Sequence, residues 1–109
     1  MLEAESSLPA RIRQLPRGGG DVPRYTLSAP GCDVLFVVGP AGSSVPPHVH
    51  DTDNVTVVVS GETEVSTEAG GVRRYGPGEW YETRANEQHG IRFDCDTVQV
   101  ELRFTVNDA

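Results

Sequence analysis

Short apolar stretches separated by turn residues fill the chain from residue 25 onward. The stretches that predict strands are residues 25–28, 34–38, 55–59, 64–67, 72–75, 80–83, 90–93 and 98–106. Glycine, proline or asparagine lies between most of them, which is typical of tight connections. This succession of short strands predicts an all-β protein, a barrel or jelly roll, formed by a single domain.

The last stretch alternates strictly between apolar and polar residues. Its apolar positions are Val98, Val100, Leu102 and Phe104, and its polar positions are Gln99, Glu101 and Arg103. Period two predicts a strand with its apolar face in the core, so we expect the polar face to meet solvent. Residues 55–59 are apolar almost throughout. That pattern predicts a strand covered on both faces, which indicates either a closed barrel or a dimer partner on the outside.

Residues 1–24 carry a different pattern. Prolines and the run Gly18-Gly19-Gly20 interrupt any long element, although a short helical turn is expected around residues 7–14. This segment is expected to lie over the body or over a second subunit. The predicted organisation is therefore an irregular N-terminal arm at residues 1–24 and a β-barrel at residues 25–109.

Composition narrows the possible partners. The chain has 109 residues and a net charge of -7, and all nine of its cationic residues are arginines. An acidic chain without a basic cluster is not expected to bind nucleic acid. No apolar run approaches the roughly 18 residues of a membrane span, and no signal-peptide core is visible, so we expect a cytoplasmic protein that does not enter membranes. Cys32 and Cys95 lack CxxC spacing and are expected to be buried free thiols.

The three histidines have the strongest chemical content. In an extended segment, residues two apart point to the same side, so His48 and His50 can converge on one point. The two prolines before them favour that extended backbone. His89 lies at the start of another β-rich stretch, and three neutral imidazoles are good ligands for divalent first-row metals. The alternative for the HxH pair alone is a solvated loop.

The spacing of these residues resembles the two sequence motifs of the cupin superfamily. The segment Gly42-x5-His48-x-His50-x3-Asn54-x6-Gly61 is similar to the first motif, G-x5-H-x-H-x3,4-E-x6-G. Asn54 occupies the glutamate position. The second motif, G-x5-P-x-G-x2-H-x3-N, aligns with Gly78, Arg84, Asn86, His89 and Phe93, of which only Gly78 and His89 match in identity. The resemblance covers about residues 34–104 and implies an RmlC-like cupin β-barrel or jelly roll.

The resemblance also implies a ligand set. His48, His50 and His89 would hold a divalent metal in a barrel pocket, Fe²⁺ or Zn²⁺ first, with Mn²⁺ or Ni²⁺ also open. Because Asn54 is neutral, the site would keep nearly the full positive charge of the metal. It should then attract a small anionic or enolisable substrate. The alternative is that the missing glutamate marks a loss of metal binding.

Candidates for proton transfer are few. Asn54, Tyr81 and Glu101 are the candidate catalytic residues, and Glu101 would qualify only if the polar face of the last strand turned inward. Trp80 and Phe93 are expected in the core.

The turn before His89 departs from the motif at two positions. Asn86 is expected to adopt the left-handed backbone that glycine takes there, and Arg84 is expected at the surface. Cys95 is in period with His89, and whether it faces the pocket is left open.

Three functions follow from the resemblance. The first is an Fe(II) dioxygenase, favoured because the neutral three-histidine pattern resembles that subset of cupins. The second is a non-redox, zinc-type cyclase or isomerase similar to polyketide-cyclase-like cupins. The third is a ligand-binding or sensing cupin without turnover. The apolar stretch at residues 55–59 and the arm are also consistent with a homodimer.

Overall fold

The computed structural model describes residues 2–106, and antiparallel strands account for most of them. The elements are a 3-10 helix Glu3–Ser7, α1 Ala10–Arg13, β1 Arg17–Gly18, β2 Arg24–Ala29, β3 Cys32–Gly39, β4 Ser44–His48, β5 Thr52–Ser60, β6 Thr63–Thr67, β7 Gly71–Tyr75, β8 Trp80–Thr83, β9 His89–Arg92 and β10 Thr97–Thr105. One sheet has the order β1-β2-β3-β10-β5-β8 and the other the order β4-β9-β6-β7. The predicted all-β class is confirmed.

The sequence pattern missed two strands. β1 has only two residues, and β4 contains Pro46 and Pro47, which cannot donate to a β-ladder. β4 lies at the edge of the four-stranded sheet, where proline is tolerated. Its pairing with β9 is irregular between Val45 and His48, the stretch that contains the prolines.

The face of the six-stranded sheet that points toward the four-stranded sheet is polar at its centre. Glu101 on β10 pairs with Leu35 on β3 and with Thr56 on β5. Glu101 is 6% exposed and Gln99 1%. The expectation that the polar face of this strand meets solvent is therefore wrong. Its polar side chains point between the two sheets, where they line a cavity instead of filling a dry core.

The opposite, outer face of the same sheet is mainly apolar, although Asp53 and Glu82 also lie on it. Val55, Val57, Val100 and Leu102 are only half-buried there, and Val59, Trp80 and Phe104 are 54%, 56% and 41% exposed. Trp80 is thus not a core residue, contrary to expectation. Within the chain, the strand at residues 55–59 is covered only on its inner face. Its outer valines are therefore available to solvent or to another subunit.

The N-terminal arm covers one end of that outer face. Leu8 packs against Tyr25, Val38 and Val98, and Ile12 adds to the same cluster. The arm therefore lies over the body of its own chain and contains α1 within the predicted helical turn. The boundary at residue 24 stays a prediction, and β1 of the arm pairs with β2.

Buried apolar side chains between the sheets form the floor beneath the polar inner face. Leu35 and Val37 pack there with Ile91 and Phe93, and Phe93 is fully buried as expected. A Cβ at Gly39 would lie 2.4 Å from the Phe93 ring, so this position requires glycine. Among residues 2–106, no helix has the length and apolarity needed to cross a membrane.

Candidate metal centre

The three histidines converge at one end of the four-stranded sheet. His48 on β4 and His89 on β9 are direct cross-strand partners, and their ring centroids are 4.4 Å apart. His50 follows two residues after His48, and the two Nε2 atoms lie 2.8 Å apart. One nitrogen from each histidine lies within 4.8 Å of the others. The three side chains are positioned to bind a metal ion.

Backbone carbonyls fix the tautomers of two of these rings. The Nδ1 of His48 lies 2.8 Å from the Pro46 carbonyl, and the Nδ1 of His89 lies 3.1 Å from the Glu87 carbonyl. Because a carbonyl oxygen only accepts, each Nδ1 must carry the proton. Each Nε2 then keeps its lone pair. A metal-bound histidine is usually oriented by this kind of hydrogen bond.

Burial keeps two of the three imidazoles neutral. It is the main cause that lowers the pKa of His50 from 6.5 to about 4, and the positive charge of Arg103 contributes to that shift. Burial likewise lowers the pKa of His89. Both rings are therefore deprotonated near pH 7, the form that coordinates a metal. Imidazole nitrogens at three positions fit a divalent first-row ion.

The turn that precedes His89 is hydrogen-bonded to the backbone of His50. Asn86 has a φ of 63° and is the one non-glycine among residues 2–106 with positive φ, as predicted. Its N–H donates to the His50 carbonyl at 2.7 Å, and the Ala85 N–H donates to Asp53 Oδ1 at 2.9 Å. Asp53 therefore serves the turn. Arg84 is exposed, as expected.

A cavity of about 190 Å³ lies beside the triad, with His48 and His50 in its wall. Its polar side is formed by Gln99, Glu101 and Arg103 of β10. Its apolar side is formed by Val22, Leu35, Val37, Val45, Ile91 and Phe93, and Gly19 and Arg24 complete the lining. The cavity thus joins a metal-binding end to one carboxylate, one amide and two guanidinium groups.

Of the three candidate catalytic residues, only Glu101 lines this cavity. Its carboxylate accepts a hydrogen bond of 2.6 Å from the Nε of Arg103. Tyr81 lies behind the wall, where its hydroxyl donates to Gln99 Oε1 at 3.0 Å. Burial and the negative charge of Glu101 raise the pKa of Tyr81. A catalytic role for Tyr81 stays a prediction. Because Tyr81 does not line the cavity, it would have to influence a substrate through Gln99.

Asn54 is buried next to the same inner face. It pairs across the sheet with Arg103, and its Oδ1 accepts a hydrogen bond of 2.7 Å from the Thr52 hydroxyl. Its Nδ2 has no hydrogen-bond partner among residues 2–106. An unpaired buried donor is costly unless another group satisfies it. Its role in the site stays a prediction.

Sequence reasoning missed Gln99 and Arg103 as site residues. The available signal was the period-two alternation of β10, which placed them on one face with Glu101, but that face was expected to meet solvent. The two cysteines contribute nothing to the cavity. Both are free, as expected, but Cys95 is exposed and Cys32 half-buried, so the expectation of buried thiols is wrong.

Comparisons with known proteins agree with this architecture. The family model for the cupin domain matches residues 34–106. An RmlC-like cupin from Shewanella frigidimarina superimposes with a TM-score of 0.76 at 18% identity, over 88% of each chain. KdgF from Halomonas sp. gives 0.73 at 24% identity, over 88% of this chain and 91% of the other.

A larger protein shares the same fold. The DMSP lyase DddQ from Ruegeria pomeroyi gives a TM-score of 0.73 at 21% identity, and the match covers 100% of this chain but 57% of that one. No curated protein matches the sequence significantly. At these identities the structural matches establish the fold, and function has to be argued from the site.

Proposed function

The chain belongs to the cupin domain family, and on that premise we propose that it is a metal-dependent enzyme that transfers protons on a small anionic substrate, as a cyclase or isomerase does. The observation that carries the proposal is the position of Glu101. A carboxylate inside the cavity, beside two of the three histidines, gives the site a group that can accept and return a proton.

The histidines would supply the electrophilic half of the site. His48, His50 and His89 would hold a divalent ion, which would supply Lewis-acid polarisation of a substrate carbonyl and so acidify a neighbouring C–H bond. Zn²⁺ fits this use because three neutral nitrogen ligands leave positions open for substrate. The two fixed Nδ1–H groups hold the ring orientations, so the lone pairs of His48 and His89 need no reorganisation before binding.

Glu101 would act as the base. Its side chain is 8% exposed, so little water competes for the carboxylate. The hydrogen bond from Arg103 holds this carboxylate in the cavity wall. Returning the proton at another substrate atom completes an isomerisation, and ring closure through the enolate completes a cyclisation. Neither outcome requires an external oxidant.

Fe(II) dioxygenase is the second candidate function. It rests on the neutral donor set, in which Asn54 stands where the cupin motif has a glutamate. A carboxylate base is not needed for oxygenation, so the inward position of Glu101 favours proton transfer over this alternative. Metal identity separates the two candidates.

Metal analysis is the first test. Protein purified without chelators should contain about one equivalent of metal per chain, and His89→Ala should lose it while the fold is retained. Zinc is expected. Iron together with substrate-dependent oxygen consumption would favour the dioxygenase, and no uptake of any divalent ion would contradict both candidates.

Proton transfer is tested directly by deuterium exchange. Zinc-loaded protein in D₂O should speed the exchange of the methyl protons of pyruvate, followed by NMR. Glu101→Gln should lower that rate by about 100-fold with metal content unchanged. Thr105→Ser, an exposed position on the same strand, is the matched control. Equal rates in wild type and Glu101→Gln would contradict the role of Glu101.

A further inference from the structure

We infer that Arg103 binds a carboxylate of the substrate, so that the cavity takes a small organic acid whose second oxygen donor reaches the histidine centre. This inference rests on the proposed function, because it assigns the substrate class of the same cavity. It starts from the free donors of Arg103, the charge of the cavity and its size.

The contacts of Arg103 hold its guanidinium and leave its outer edge free. Its Nε donates to Glu101 at 2.6 Å. No residue among 2–106 accepts a hydrogen bond from its two terminal nitrogens, and the side chain is 20% exposed in the cavity wall. Those two nitrogens form the planar fork that matches a carboxylate with two parallel hydrogen bonds. Because Glu101 fixes the Nε, the fork is already oriented before a ligand arrives.

The charge of the cavity differs from that of the whole chain. The chain carries a net charge of -7, yet the cavity lining contains two arginines, Arg24 and Arg103, against one carboxylate. The histidines add no negative charge, and a bound divalent ion would add two positive charges. A positive cavity in an acidic protein selects an anion and disfavours a neutral or cationic substrate.

The dimensions restrict the acid. The cavity volume of about 190 Å³ lies below the roughly 300–1,000 Å³ typical of sites for drug-sized ligands. Ile91 and Phe93 form an apolar floor, which suits a short carbon skeleton between the two polar ends. A short dicarboxylate or keto acid satisfies the metal-binding end, the arginine fork and the floor together.

Malonate and its uncharged analogue malonamide test the inference, because they have the same skeleton and differ in charge. Calorimetric titration of zinc-loaded protein should show malonate binding at least about tenfold more weakly to Arg103→Gln than to wild type, the loss expected for one charge-assisted pair. The affinities of wild type and Arg103→Gln for malonamide should agree within about twofold. Arg103→Lys keeps the charge beside Glu101 but lacks the planar fork of guanidinium nitrogens. Its affinity for malonate should therefore lie between those of wild type and Arg103→Gln.

The control variant is Arg11→Gln, which changes the net charge equally. Arg11 is exposed on α1 and does not line the cavity, so malonate affinity should stay within about twofold of wild type. Unchanged malonate affinity in both Arg103 variants would overturn the inference. So would an equal loss of malonamide affinity, because that would indicate general damage to the cavity.

Failure of the proposed function gives a different result. If wild type takes up no metal, or if Glu101→Gln exchanges pyruvate protons normally, the proton-transfer proposal is contradicted. Malonate is then titrated into the metal-free chain. Binding that depends on Arg103 but not on Arg11 would support the carboxylate site on its own, and no binding at 10 mM malonate would overturn it.

Discussion

At Asn86 the backbone takes a left-handed conformation, with φ 63°, that costs most side chains about 1–2 kcal/mol. Asparagine pays less of this cost, and glycine almost none. We therefore expect Asn86→Gly to keep the free energy of unfolding within about 0.5 kcal/mol of wild type. Asn86→Ala should lower it by about 1 kcal/mol. Denaturant titration of the three proteins measures both changes.

The same variants test whether the turn supports the metal site. The Asn86 N–H donates to the His50 carbonyl, and His89 follows the same turn three residues later. Strain in the turn would therefore displace both histidines. Asn86→Ala should therefore weaken zinc binding by a few-fold, whereas Asn86→Gly should not. Equal zinc affinity in all three proteins would mean that the turn affects stability alone.

Residue types and spacing predicted that the three histidines converge, but not what surrounds them. The motif spacing was enough for His48, His50 and His89, because period two and paired strands fix which side chains converge. Tyr81 and Glu101 were both candidates, yet only Glu101 lines the cavity. The difference arises from the strand order, in which Thr56 on β5 lies between Glu101 on β10 and Tyr81 on β8, and no local pattern in the sequence encodes that order.

At the scale of elements, Glu5 links the N-terminal arm to β2 of the six-stranded sheet. Its fully buried carboxylate accepts hydrogen bonds from Arg17, from the Tyr25 hydroxyl and from the Leu2 N–H. The guanidinium of Arg17 is the main cause that lowers the pKa of Glu5 from 4.5 to about 2. Glu5→Gln should lower the free energy of unfolding by about 1–2 kcal/mol at pH 7, a modest value because Arg17 is half-exposed.

The pH dependence of that loss has a definite sign. A folded-state pKa below the unfolded value means that the contribution is present above about pH 4.5 and disappears as the pH falls from 4.5 towards 2. The difference in unfolding free energy between wild type and Glu5→Gln should therefore shrink over that range. Glu3→Gln, at an exposed position of the same helix, is the control. A difference that stays constant from pH 7 to pH 3 would contradict this account.

β10 shows what a binary pattern can and cannot predict. The alternation correctly predicted a long strand, but the rule that apolar residues point inward failed. The inner face borders a cavity that needs polar groups, and the arm covers part of the outer face through Leu8 and Ile12. The sequence of the arm, interrupted by prolines and glycines, contains no pattern that predicts which sheet the arm covers.

For the whole molecule, the remaining outer face of the six-stranded sheet predicts a homodimer. The uncovered apolar positions are Leu27, Val34, Val55, Val57, Val59, Trp80, Val100, Leu102 and Phe104, and the acidic residues Asp53 and Glu82 lie on the same face, paired with Phe104 and Val55. A continuous exposed apolar surface is unusual in a monomer. A second copy can cover the apolar part of this face, and a two-fold axis makes the contact self-complementary.

Light scattering coupled to size-exclusion chromatography tests the dimer. Wild type should have about twice the chain mass of 11.8 kDa. Val57 lies mid-strand and pairs with Val100 and Trp80 on either side. Val57→Glu should therefore give a monomer, because two copies would bury like charges against each other. Val72→Glu makes the same change at a valine that is 61% exposed on β7 of the other sheet, and it should remain dimeric. A wild-type protein that elutes as a monomer, or a Val57→Glu protein that stays dimeric, would contradict the assignment of this face.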